Sequence, residues 1–155
     1  MSNYLDKVSY IASIVHKQSN IDPKDRKMYT RIIASFIEWY YIIKENKRFF
    51  DMAKWDLFGR GASIDIPFED YKSVYSGTYH DVEQLDTNSK RSIDYVFKNL
   101  INRDINDLIM FIQVMDEWER DMKKHPKYPI IDMNNFITDD TTRSMVKYFC
   151  EGKNV

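Results

Sequence analysis

The chain is short of the residues that small proteins use as staples. Of its 155 residues one is a cysteine, Cys150, so no intrachain disulfide forms and no cysteine cage for zinc is available. Its place near the end of an apolar helical stretch predicts a buried or half-buried thiol. Histidine occurs at 16, 80 and 125 only, never three or four residues from another ligand in a metal-binding signature, so no metal or other cofactor is expected. Glycine and proline appear four times each, which leaves few places where a helix is obliged to stop. No apolar run approaches the roughly 20 residues of a membrane span. The opening residues Met1-Ser2-Asn3-Tyr4-Leu5-Asp6 hold no basic segment followed by an apolar one, so a cytoplasmic protein is expected. Nor is either charge in surplus: 23 basic side chains stand against 24 acidic ones. A polyanion held by bulk positive charge is thereby disfavoured, as is acidic mimicry of DNA.

What is present is apolar material at helical spacing. Hydrophobic residues make up 43% and aromatic residues 15% of the chain, enough for one core at this length. Tyr4, Val8, Ile11, Ala12 and Val15 recur at three- and four-residue steps, which predicts a helix over 3–17. Asp22-Pro23 reads as an N-cap and first helical position. A long central helix over 23–46 follows, with Met28, Ile32, Ile33, Phe36, Trp39, Tyr40 and Ile43 on its buried side. Ile37, Tyr41 and Ile42 widen that arc, so neighbours should enclose this helix, with Phe36 and Tyr40 both in the core. Over 49–77 the pattern breaks up into an aromatic-rich stretch around Gly59-Arg60-Gly61, and Pro67 opens a short helix through Tyr71 to Tyr75. Capping residues Asp86-Thr87-Asn88 begin a helix marked by Ile93, Val96, Phe97 and Leu100. Asn102-Arg103-Asp104 recaps the chain for an amphipathic helix over 105–124. Asp139-Asp140 starts a last one, closed by Gly152. The expected fold is all-α: a compact single domain over 1–155, with five principal helices and an irregular aromatic central loop region.

Chemistry is sparse. His16 and His125 lie near helix ends, where a histidine complements the dipole, and His80 sits in a polar connection. Gly59-Arg60-Gly61 lacks the Lys-Ser/Thr of a phosphate-binding loop and follows no predicted strand. The acids Asp116, Glu117, Glu119 and Asp121 alternate with Arg120, Lys123 and Lys124, the pattern of a solvated helix face. No nucleophile elbow or Cys–His pairing is present, so no enzyme is expected. The aromatic stretch is the exception, because a loop on a rigid helical scaffold is where binding residues concentrate. Trp55, Phe58, Gly59, Arg60, Gly61, Tyr71 and Tyr75 are the candidate partner-binding residues, with Arg60 exposed between its glycines.

The same stretch resembles the Panacea antitoxin domain family, which includes SocA-like proteolytic adaptors and GepA-like phage-associated proteins. Ile32-Ile33 resembles the paired leucines of that family's helix, and Trp39 falls at its tryptophan. Phe50-Asp51 is similar to its Phe-Asp turn, Trp55 with Gly59 to its Trp-x-x-Gly, and Ile66-Pro67 with Tyr71 to its Val-Pro-x-x-Tyr. Residues 93–100 and 106–118 match its two amphipathic helices, so the resemblance spans about residues 8–149. The family's Gly-Pro-Val is replaced by Gly59-Arg60-Gly61, and its Thr-His pair by Ile112-Gln113. The resemblance implies a helical antitoxin that neutralises a protein toxin by contact, or an adaptor that delivers one for degradation. A phage or viral inhibitor of a host-defence protein is the alternative. A DNA-binding regulator comes third, since no basic recognition helix is evident.

Overall fold

The computed structural model describes residues 4–58, 61–79, 82–115, 118 and 130–152. Seven helices and a small sheet occur among them: α1 (Tyr4–His16), α2 (Arg26–Glu45), α3 (Phe68–Ser76), α4 (Thr87–Leu100), α5 (Ile105–Val114), α6 (Met133–Phe136) and α7 (Asp140–Glu151), with β1 (Trp55–Phe58), β2 (Gly61–Ile64) and β3 (Ile130–Ile131). The fold is predominantly helical, as expected. Four of the five long helices stand where the apolar spacing put them, and the fifth, α5, starts at Ile105 as expected but ends at Val114, where Met115 turns extended at ψ 144°, ten residues short of the expected 124. The rest of that expected helix, 116–124, lies outside the described residues, Trp118 apart. So do His80 and His125.

Capping chemistry sets the helix starts. Asp22 accepts a hydrogen bond from the Lys24 amide and Pro23 opens a 3₁₀ turn (Pro23–Asp25) that leads into α2. Asp86, Asp104 and Asp139 each take a backbone amide of the helix that follows, satisfying donors that have no partner inside the helix. α2 ends at Asn46, in the left-handed conformation at φ 58°, whose amide closes on the Ile42 carbonyl.

α2 is the axis of the molecule. Residues 32–42 are buried without a break, which requires neighbours on every side. Phe36 and Tyr40 are fully buried. The Phe36 ring sits edge-on to Trp39 and Phe149 at centroid distances of 5.7 and 5.8 Å, with Phe111 of α5 at 5.9 Å. Such offsets suit the quadrupoles of aromatic rings. Polar ties add direction: the Tyr40 hydroxyl donates to Glu151 of α7 at 3.0 Å, and the Tyr41 hydroxyl to the Ser92 carbonyl of α4 at 3.2 Å. Cys150 is buried beneath Phe36, its thiol 3.7 Å from the Phe36 carbonyl. α1 packs against α2 and α3, and α4 against α7.

The region over 49–77 is more regular than its sequence pattern. β1 and β2 pair antiparallel with Phe58 opposite Gly61 and Trp55 opposite Ile64, and β3 joins on the far side of β1. The expected loop is therefore a short β-hairpin lying against α2, followed by α3. Strands of four residues, with Ala62, Ser63 and Ile64 buried in succession, give no alternation to stand out from the surrounding aromatics.

A cationic, tyrosine-lined cleft as the candidate partner-binding site

One cleft joins the N-terminal turns of α2 to the outer side of α3. Lys27 and Arg31 stand one turn apart on α2, and Tyr71 and Tyr75 one turn apart on α3, so each pair forms a row on its helix. The rows interlock. Arg31 donates from Nη2 to the Tyr71 hydroxyl at 2.7 Å and from Nε to the Tyr75 hydroxyl at 3.2 Å. Its guanidinium carbon lies 5.3 Å from the Tyr75 ring centre. The Lys27 ammonium lies 4.5 Å from the Tyr71 ring and 5.8 Å from that of Tyr75, within the range where a cation is attracted to an aromatic face. The two tyrosine rings meet at 4.8 Å and 61°. His16, at the end of α1, closes one wall with Nε2 3.3 Å from the Tyr75 carbonyl, to which it donates when that nitrogen is protonated. The open cleft has a volume of about 290 Å³, and Arg26, Lys27 and Lys72 line it together with the tyrosines.

The electrostatics are one-sided. Among the described residues no carboxylate lines the cleft, and none pairs with Arg26, Lys27 or Lys72. Arg26 keeps its Nε buried without a hydrogen-bond partner among the described residues. Burial raises the Tyr75 hydroxyl above its ordinary pKa, against the opposing pull of Arg31. Burial likewise raises Asp56, which Arg31 partly offsets. The Arg31 charge is thus shared with tyrosine oxygens and with Asp56, whereas Arg26, Lys27 and Lys72 line the cleft.

The residues expected at a partner surface are divided by the structure. Tyr71 is half-buried in the cleft wall, and Tyr75 is buried with its hydroxyl on Arg31. Trp55 is not available to a partner. It is 1% exposed, and its indole donates to Glu38 at 3.1 Å. Gly61 begins β2, opposite Phe58 at the end of β1. Gly59 and Arg60 lie outside the described residues.

Sequence reasoning missed two features. The first is the basic half of the cleft. Arg26 and Lys27 occupy the first turn of α2, which holds no acidic residue, although the positive end of a helix dipole disfavours cations there. That local violation was the available signal. The second is Glu38, fully buried in the apolar face of α2. One of its oxygens accepts from the amides of Phe49 and Phe50 at 2.6 and 3.1 Å, and the other from Arg48 Nε and Trp55 Nε1 at 2.9 and 3.1 Å. This carboxylate ties the turn after α2 to β1 and withdraws Trp55 from the surface.

A larger groove of about 920 Å³ runs past Lys7, Lys47, Arg48 and Arg91, but it also carries Glu45 and Asp51. Its two best-held cations are committed to the fold. Arg48 serves Glu38 and the Phe50 and Ala53 carbonyls, and Lys7 donates to the Phe49 carbonyl at 2.6 Å while lying over its ring. Among the described residues no group of acids, histidines or cysteines is arranged to hold a metal ion, and no helix is long and apolar enough to cross a membrane. No protein-family model, no curated protein and no solved structure matches the chain.

Proposed function

We propose that this chain is a protein-binding module of the antitoxin type, which neutralises a protein toxin by direct contact or presents it for degradation. The observation that carries the reading is the α3 face. Phe68, 94% exposed at the start of α3, precedes Tyr71 and Lys72 by one turn, and both of these line the cleft with Tyr75. A phenylalanine standing in solvent contributes nothing to the core beneath it. Beside a concave surface of tyrosine and arginine, it has the composition of an interface centre. The rings are also held in place before a partner arrives, because Arg31 bonds both hydroxyls. Little side-chain freedom then remains to be lost on binding.

The test is co-expression with the product of the adjacent open reading frame. That product alone should arrest growth, and this chain should restore growth and co-purify with it. Phe68→Ala should leave the melting behaviour within the small range usual for surface changes and weaken co-purification, with an affinity loss of about 1 kcal/mol or more. Unimpaired neutralisation by both Phe68→Ala and Tyr71→Ala would place the interface elsewhere. Absence of growth arrest, or of rescue, would overturn the antitoxin reading.

A further inference from the structure

Resting on that reading of the chain as a protein-binding module, we infer that the cleft between α2 and α3 takes an acidic peptide segment of the partner, with its carboxylates set on Arg26, Lys27 and Lys72. Three observations converge. The lining holds cations from two separate helices and no acid. One of those cations, Arg26, has an unsatisfied buried Nε, and a donor shielded from water is costly until an acceptor reaches it. Arg26 and Lys27 stand in the first turn of α2, where the helix field opposes them. An occupant that neutralises all three cations needs several negative groups spaced along it, which an acidic peptide segment carries.

The tyrosines argue against a nucleic-acid strand as the occupant. A base binds such a platform by stacking on an open ring face. Here Lys27 covers Tyr71, Arg31 covers Tyr75, and the rings meet each other at a steep angle. What the aromatic pair does instead is hold the ammonium and guanidinium groups in fixed positions, leaving Lys27 free to meet a carboxylate on the side away from the ring. With a net charge of −1 over the whole chain, the attraction is local to this cleft. Phe68 gives the entering segment an apolar contact at the edge.

The experiment uses the full chain, isotope-labelled for NMR, and three probes: a short peptide alternating Glu and Gly, its Gln counterpart, and a single-stranded oligothymidine of matched length. The Glu peptide should shift the amide resonances of Lys27, Tyr71 and Lys72 and should bind less tightly as salt is raised. The double variant Lys27→Glu/Lys72→Glu, both exposed positions, should keep its melting temperature and lose about tenfold in affinity for the Glu peptide. Equal binding of the Gln peptide, or of the Glu peptide by the double variant, overturns the proposal. So does tighter binding of oligothymidine, which would assign the cleft to nucleic acid. The two readings fail separately. Neutralisation that survives the double variant removes the acidic-segment proposal and leaves the antitoxin function standing, whereas peptide binding without any neutralisation does the reverse.

Discussion

Glu38 shows how a residue that breaks the hydrophobic pattern can organise it. A carboxylate buried in the middle of α2 is costly unless its lone pairs are filled, and here four donors fill them. Because every partner is a donor, glutamine is a poor replacement: its amide NH₂ would face two of them. Glu38→Gln should therefore destabilise the protein by about 3 kcal/mol, the lower end for breaking a buried pair, since Arg48 retains some contact with water. Urea unfolding followed by circular dichroism would measure this, and a loss below about 1 kcal/mol would show that the knot is not holding the turn to the hairpin. The sequence contained the residue in plain view, but nothing along the chain shows that residues 48–50 and 55 fold back onto it.

At the scale of elements, the cleft depends on how α3 lies against α1. Gly77 ends α3 with φ at +74°, its amide closing on the Ser73 and Val74 carbonyls. A Cβ there would stand 2.6 Å from Ser13 Cα and 2.7 Å from Ser13 N, backbone atoms of α1 that cannot rotate away. Gly77→Ala should cost at least about 2 kcal/mol, combining left-handed strain with the displacement of α3. Gly152→Ala serves as the control. It has a similar φ of +67°, but the nearest atom is the Asn99 side-chain oxygen, so the cost should be nearer to about 1 kcal/mol. Thermal melts of the two variants test the ordering. If Gly77→Ala is the milder change, close packing of α1 on α3 is not what positions Tyr71 and Tyr75. Sequence spacing located α3 but did not orient it, because a nine-residue helix with two buried residues carries little periodic signal.

Across the whole molecule, tyrosine hydroxyls pin helix to helix and helix to loop. Tyr4 donates to the Asp65 carbonyl, Tyr10 to Asp94 of α4, Tyr40 to Glu151 and Tyr41 to the Ser92 carbonyl. Burial raises the pKa of all four, Tyr10 to about 12 with help from its bond to Asp94. A folded pKa above the unfolded value means the neutral phenol is favoured by folding. That contribution is complete below pH 10 and is lost as pH rises towards about 12 for Tyr10. Stability to urea should accordingly fall between pH 10 and 12, and Tyr10→Phe should make the fall shallower. An unchanged slope would mean that the phenol of Tyr10 is not coupled to folding.

By itself the sequence determined the helical class, the Asp22 cap ahead of α2, the starts of α4, α5 and α7, and the burial of Phe36, Tyr40 and Cys150. These follow from three- and four-residue apolar steps and from Asp at caps, which act between residues close in the chain. Only the tertiary structure decided that Trp55 faces inward to Glu38, that 55–64 pairs as a hairpin, and that Lys27 and Arg31 meet Tyr71 and Tyr75 about 40 positions later. Each of those depends on which way two separate elements turn when they pack. That choice is made by the shape of the whole core and leaves no local periodicity behind.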